Sequence, residues 1–105
     1  MGCYVLAQLA FTDPAPYRRY QGRFAEVMQG FKGRLLVADE GPRVLEGVWQ
    51  KDKVVLIWFP DEASFVEWET SEAYRSIAVD RIAGAETTSL LLRGFADPDF
   101  GAGGG

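Results

Sequence analysis

Residues 46–74 read EGVWQKDKVVLIWFPDEASFVEWETSEAY, and within them the run Val54-Val55-Leu56-Ile57-Trp58-Phe59 decides the fold. Successive side chains of a strand point to opposite faces, so a strand without a polar residue on either face cannot be half solvated. Both of its faces need cover. Pro60 stops the run and Asp61 starts a helix. The chain has helices enough for one face of a sheet, and the expected cover for the other is a second copy of the protein.

The 105 residues are 48% hydrophobic and 25% charged, as expected for one globular domain. A net charge of −4 does not suit nucleic acid, whose binders cluster Lys and Arg against phosphates, and it does not suit an anionic membrane. Histidine is absent, which removes haem with a proximal His, the usual catalytic zinc sites, and Ser-His or Cys-His nucleophile pairs. The single Cys3 sits among Tyr4, Val5 and Leu6, where a buried, unreactive thiol is expected. No basic, then apolar, leader is present, and no run approaches the roughly 18 apolar residues of a membrane span. These features predict a cytoplasmic protein with neither cofactor nor metal.

Upstream, Cys3 to Phe11 reads as a strand, followed by Asp13-Pro14 as a helix start. Tyr17, Tyr20, Phe24, Val27 and Phe31 then recur at spacings of three and four, an apolar helical stripe. Gly33 is expected as a left-handed cap. Arg34 to Ala38 is short and β-prone. After the turn Asp39-Glu40-Gly41-Pro42, Arg43 to Trp49 is expected as a strand forming a hairpin with Lys53 to Phe59. A helical region from Asp61 breaks near Thr70-Ser71 and continues through Tyr74, Ile77, Ala78, Arg81 and Ile82. Thr87 to Phe95 is the last strand, and Asp97 to Gly105 a Gly-rich tail expected to be disordered unless a partner pins it. The order is β-α-β-β-α-β. It predicts an α+β, ferredoxin-like fold with a four-stranded antiparallel sheet and two helices on one face, as a single domain over residues 1–96.

Several of these motifs together resemble a known family. Asp13-Pro14 with Tyr17 and Tyr20, Gly33-Arg34, Leu45-Glu46-Gly47-Val48-Trp49, Val54 to Pro60, and Trp68, Ser71, Tyr74 and Arg81 are similar to the small bacterial family of domain of unknown function 1330. The resemblance covers about residues 3–95 and implies a dimeric α/β barrel. That superfamily includes cofactor-free monooxygenases, lactone isomerases, dehydratases and haem enzymes, besides members without a known activity. Two positions depart from the family pattern: Glu69 stands where a tyrosine commonly follows Trp68, and Glu72 where a proline commonly follows Ser71.

Glu46 and Arg81 are the candidate catalytic residues, and the resemblance places both at characteristic family positions. In a strand, Glu46 would share a face with Val44 and Val48, and burial there would raise its pKa and suit it to proton transfer. The alternative is an ion pair or an outward position on an edge strand. Arg81 falls on the side of Tyr74 and Ala78, where a guanidinium needs a carboxylate from Glu46 or an acidic ligand; alternatively its stem packs while its head reaches water. Tyr17, Tyr20, Trp58, Ser71 and Tyr74 are the candidate ligand-binding set. Each has a structural alternative: core packing for the aromatic residues, a helix cap for Ser71. The expectation is a homodimeric protein that binds a small organic compound, either a cofactor-free enzyme acting on an acidic or aromatic substrate or a non-catalytic carrier or accessory protein.

Overall fold

In a computed structural model, residues 2–100 are described. Four strands, β1 (Cys3–Phe11), β2 (Arg34–Asp39), β3 (Lys53–Phe59) and β4 (Ala85–Arg93), form an antiparallel sheet in the order β2-β3-β1-β4. Three helices, α1 (Pro14–Met28), α2 (Glu62–Glu69) and α3 (Glu72–Gly84), lie on one face. The helical region from Asp61 breaks at Thr70-Ser71, as expected, into the two helices α2 and α3. Asp61 caps α2 by accepting from the Ser64 N–H at 2.7 Å, and Ser71 caps α3 by accepting from the Tyr74 N–H at 3.0 Å.

The hairpin differs from the expected one. β3 pairs with Arg34–Asp39, and Arg43–Trp49 forms no strand. Residues 40–52 are a long connection lying against the helix-free face of the sheet, where the Trp49 indole N–H donates to Gln8 Oε1 at 3.1 Å. The alternation of Val44, Glu46 and Val48 therefore reflects a loop, with Gly47 as its left-handed residue at φ +85°. Gly33 has no positive φ; it is required by space, since a Cβ there would stand 2.6 Å from the Phe59 ring and 2.8 Å from Met28 Sδ.

Odd-numbered residues of β1 and β3 face the helices and build the core: Cys3, Val5, Leu9, Ile57 and Phe59 meet Tyr17, Tyr20, Phe24, Trp68, Tyr74 and Ile77. The α1–α3 contact is set at Gly84. Its carbonyl accepts from the Thr12 and Asp13 N–H groups at 2.9 and 3.2 Å, and a Cβ there would stand 2.6 Å from the Tyr17 backbone nitrogen.

Even-numbered residues of β1, β3 and β4, with Val37 of β2 beyond its bulge, build the other face, whose middle row is Val37-Leu56-Leu6-Leu90. Trp49 lies over the Gln8 end of this face. Phe100 lies over the other end, 4.9 Å from the Trp58 ring and under the Arg34 guanidinium at 4.3 Å. Asp97 Oδ1 accepts from the Gly2 N–H at 2.7 Å, so the start of the expected tail is held by the sheet; residues 101–105 lie outside the described residues. Between these two covers the apolar row is open, with Leu90 49% and Val37 39% exposed.

Candidate functional site

The register explains a cavity between sheet and helices. Three rows run across the helix-facing side: Lys53-Leu9-Thr87, then Ala38-Val55-Ala7-Ser89, then Leu35-Ile57-Val5-Leu91. The middle row consists of short side chains, so the helices cannot close onto the sheet there. The result is a cavity of about 610 Å³ with this floor. That is ample for a small organic molecule.

The roof is aromatic. Along α1, Tyr17, Tyr20 and Phe24 stand one helical turn apart, with successive ring centroids 5.7 and 5.8 Å apart. Trp68 of α2 stacks on Tyr74 of α3 at 4.0 Å. The Tyr20 and Tyr74 hydroxyls lie 3.2 Å apart and satisfy one another. Burial pushes the Tyr17 hydroxyl up to about 12 and raises that of Tyr20 further still, the latter helped by the neighbouring Tyr74. Both are neutral hydrogen-bonding groups at physiological pH. Two further polar atoms of the wall, Trp68 Nε1 and Thr87 Oγ1, are buried without a hydrogen-bond partner among the described residues.

The charged group of the floor is Lys53, which is 4% exposed. Its ammonium lies 5.0 Å from the centroid of the Tyr17 ring and 3.7 Å from Glu40 Oε2. Glu40 is already held in a two-pronged pair by Arg18, at 2.6 and 2.9 Å, and that pair draws its carboxyl below the usual range. Desolvation lowers the Lys53 pKa, against the opposing pull of Glu40. Sequence reasoning missed this residue. Its signal was the alternation Lys53, Val55, Ile57, Phe59, which sets the lysine on the inward face.

Of the residues expected from sequence, Tyr17, Tyr20, Tyr74 and Arg81 line this cavity together. Three do not. Glu46 is exposed in the 40–52 connection, beside a groove formed with Leu6, Gln8 and Val54 on the opposite face of the sheet, so it does not meet Arg81 within the chain. Trp58 points to that same opposite face, opposite Tyr4. Ser71 is a cap whose hydroxyl donates to the Trp68 carbonyl at 2.7 Å. Cys3 is buried and its thiol pKa is raised, first by desolvation.

The family model described as domain of unknown function (DUF1330) matches residues 2–95. The chain belongs to the DUF1330 family. No curated protein matches it. Among solved structures, a protein of unknown function from Rhodopseudomonas palustris is 17% identical, with 91% of this chain and 84% of that one covered and a TM-score of 0.77. SnoaB, a cofactor-independent oxygenase from Streptomyces nogalater, is 12% identical over 91% of this chain and 95% of its own, with a TM-score of 0.66. A dimeric ferredoxin-like protein of unknown function from Thermobifida fusca is 12% identical over 88% and 90%, with a TM-score of 0.64. At these identities the likeness establishes the ferredoxin-like fold of this DUF1330 chain. Among its described residues, no helix is long and apolar enough to cross a membrane, and no group of three or more His, Cys, Asp or Glu is placed to hold a metal ion.

Proposed function

We propose that this DUF1330 protein is a homodimer whose subunits each bind a small, largely aromatic organic molecule in the cavity between sheet and helices. The observation that carries the reading is the middle row of the floor. Ala38, Val55, Ala7 and Ser89 leave about 610 Å³ open beneath a roof of aromatic rings, where larger side chains would have filled the space. The unpartnered Trp68 Nε1 and Thr87 Oγ1 offer donors to such a ligand, and Arg81 adds a cation at the Tyr17–Tyr20 side. The oxygenase SnoaB shares the fold and acts without a cofactor, which is in keeping with a pocket that works on a bound aromatic compound unaided.

The dimer rests on the helix-free face. Its row Val37-Leu56-Leu6-Leu90 is a continuous apolar strip between two covered ends, and a second sheet packed on it removes that strip from water. The Thermobifida fusca protein of the same fold is dimeric, which is in keeping with a dimer here.

A second reading, a carrier without catalysis, is favoured by the tyrosines: both Tyr17 and Tyr20 are held neutral, so neither is a proton acceptor near neutral pH. Ligand-detected NMR with a panel of small aromatic compounds tests the reading common to both. Binding to the wild type that disappears in Ala7→Leu, while the fold persists, supports the cavity. Binding that is indifferent to Ala7→Leu, or absent at millimolar ligand, contradicts it.

A further inference from the structure

The cavity is polar at one end and apolar at the other, and its polar end holds a buried lysine whose ion partner, Glu40, is shared with Arg18. Lys53 stands in the first row of the floor beside Leu9, with Thr87 one strand further on. Its ammonium has three N–H donors. Its ion-pair partner Glu40, with Oε2 at 3.7 Å, is shared with the two-pronged Arg18 contact, and the face of Tyr17 offers no lone pair along the ring normal. Glu40 is thus a distant, shared ion partner, and the ammonium keeps N–H donors that Glu40 does not fill. A buried ammonium in that condition is costly, and a lysine stem four carbons long had the freedom to reach water instead. It is 4% exposed and lines the cavity.

The surrounding charge points the same way. Arg81 also lines the cavity, on the side of Tyr17 and Tyr20. Glu40, outside the cavity lining, is paired by Arg18, and Glu69, the acidic residue of the lining, is exposed. Four residues along β3 from Lys53, roughly 13 Å at the rise of a strand, the floor becomes Ile57 and Val5, under Phe24 and Trp68.

From this polarity we infer that the ligand is an aromatic monoanion, a carboxylate or an equally compact anion, whose charged group sits on Lys53 and whose rings lie over Ala7 toward Ile57. The inference rests on the reading of the cavity as a ligand site and adds the class and the direction of the ligand. A compact anion gives the spare Lys53 donors an acceptor, and the unpartnered Thr87 Oγ1 stands in the same row of the floor. Charge-assisted hydrogen bonds in a desolvated site are the strong ones, and they make the ligand's charge decisive for affinity.

Isothermal titration of 2-naphthoate and of its neutral isostere 2-naphthamide, against wild type and Lys53→Met, tests it. The expected result is that wild type binds the carboxylate at least about tenfold more tightly than the amide. In Lys53→Met that preference should fall within about threefold of unity while the amide binds as before. Lys53→Gln serves as the second variant should the methionine form fail to fold, and the wild-type ratio stands by itself. Equal binding of the two compounds to wild type, or a preference that survives in the variants, overturns the assignment of Lys53 and leaves the cavity reading intact. Failure of wild type to bind either compound at millimolar concentration removes the cavity reading, and this inference with it.

Discussion

The Tyr20 and Tyr74 hydroxyls, 54 residues apart in sequence, meet at 3.2 Å inside the roof of the cavity and join α1 to α3. Each is buried and the other is its partner, so removing one strands the other. Tyr20→Phe and Tyr74→Phe should each destabilise by about 1–2 kcal/mol, and the double variant by clearly less than the sum. Urea melts of the four proteins measure the coupling. Additive losses would mean that the two hydroxyls are satisfied independently.

Alkaline stability follows from the same residues. Tyr17, at about 12, and Tyr20, higher, both ionise less readily in the folded chain than in the unfolded one. The stability this represents is fully present below pH 10. Above it the unfolded state loses protons that the native state keeps, so stability falls by up to about 1.4 kcal/mol per pH unit for each tyrosine, continuing through the folded values. Absorbance at 295 nm between pH 9 and 12.5 should show two of the four tyrosines, Tyr17 and Tyr20, ionising only as the chain unfolds. A single normal titration of all four before unfolding contradicts the burial.

Filling the cavity should be tolerated. Three extra carbons forced into a packed interior cost about 1–3 kcal/mol. At Ala7, between Val55 and Ser89 in the short row, Ala7→Leu has room to enter and should change stability by less than about 1 kcal/mol. A larger loss in a thermal or urea melt would show that the helices close onto the middle row.

The helix-free face gives a separate test. Leu56 lies in the middle of the apolar row, paired with Leu6 and Val37. An ammonium at that position cannot be buried between two sheets without a partner. Sedimentation equilibrium should find wild type dimeric at micromolar concentration and Leu56→Lys monomeric but folded. A wild-type monomer sinks the dimer, and a dimeric Leu56→Lys moves the interface elsewhere.

The parts of this molecule that the sequence discloses are those in which side-chain period and local geometry agree. Tyr17, Tyr20 and Phe24 follow the helical repeat and stand in one line over the cavity; Arg81, two turns beyond Tyr74, faces the same side. Glu46 was misplaced because Val44 and Val48 mimic a strand in a connection whose apolar residues lie on or beside the open face of the sheet. Trp58 shows a different limit. Parity sets it opposite to Ile57 and Phe59, but parity does not say which of the two faces the helices cover. Lys53 is not legible as a site residue because the apolar run starts at Val54 and because charge at a strand end suggests solvent. The row of small residues that opens the cavity combines four strands, and only their register brings Ala38, Val55, Ala7 and Ser89 into line.

The most direct measurement is an isotope-filtered NOE experiment on the labelled protein with unlabelled 2-naphthoate. Ring protons should give NOEs to the methyl groups of Ala7, Val55 and Ile57, which line the floor of the cavity. NOEs instead to Leu6 and Leu56, or none under saturating ligand, would place the compound on the other face of the sheet or off the protein and contradict the account.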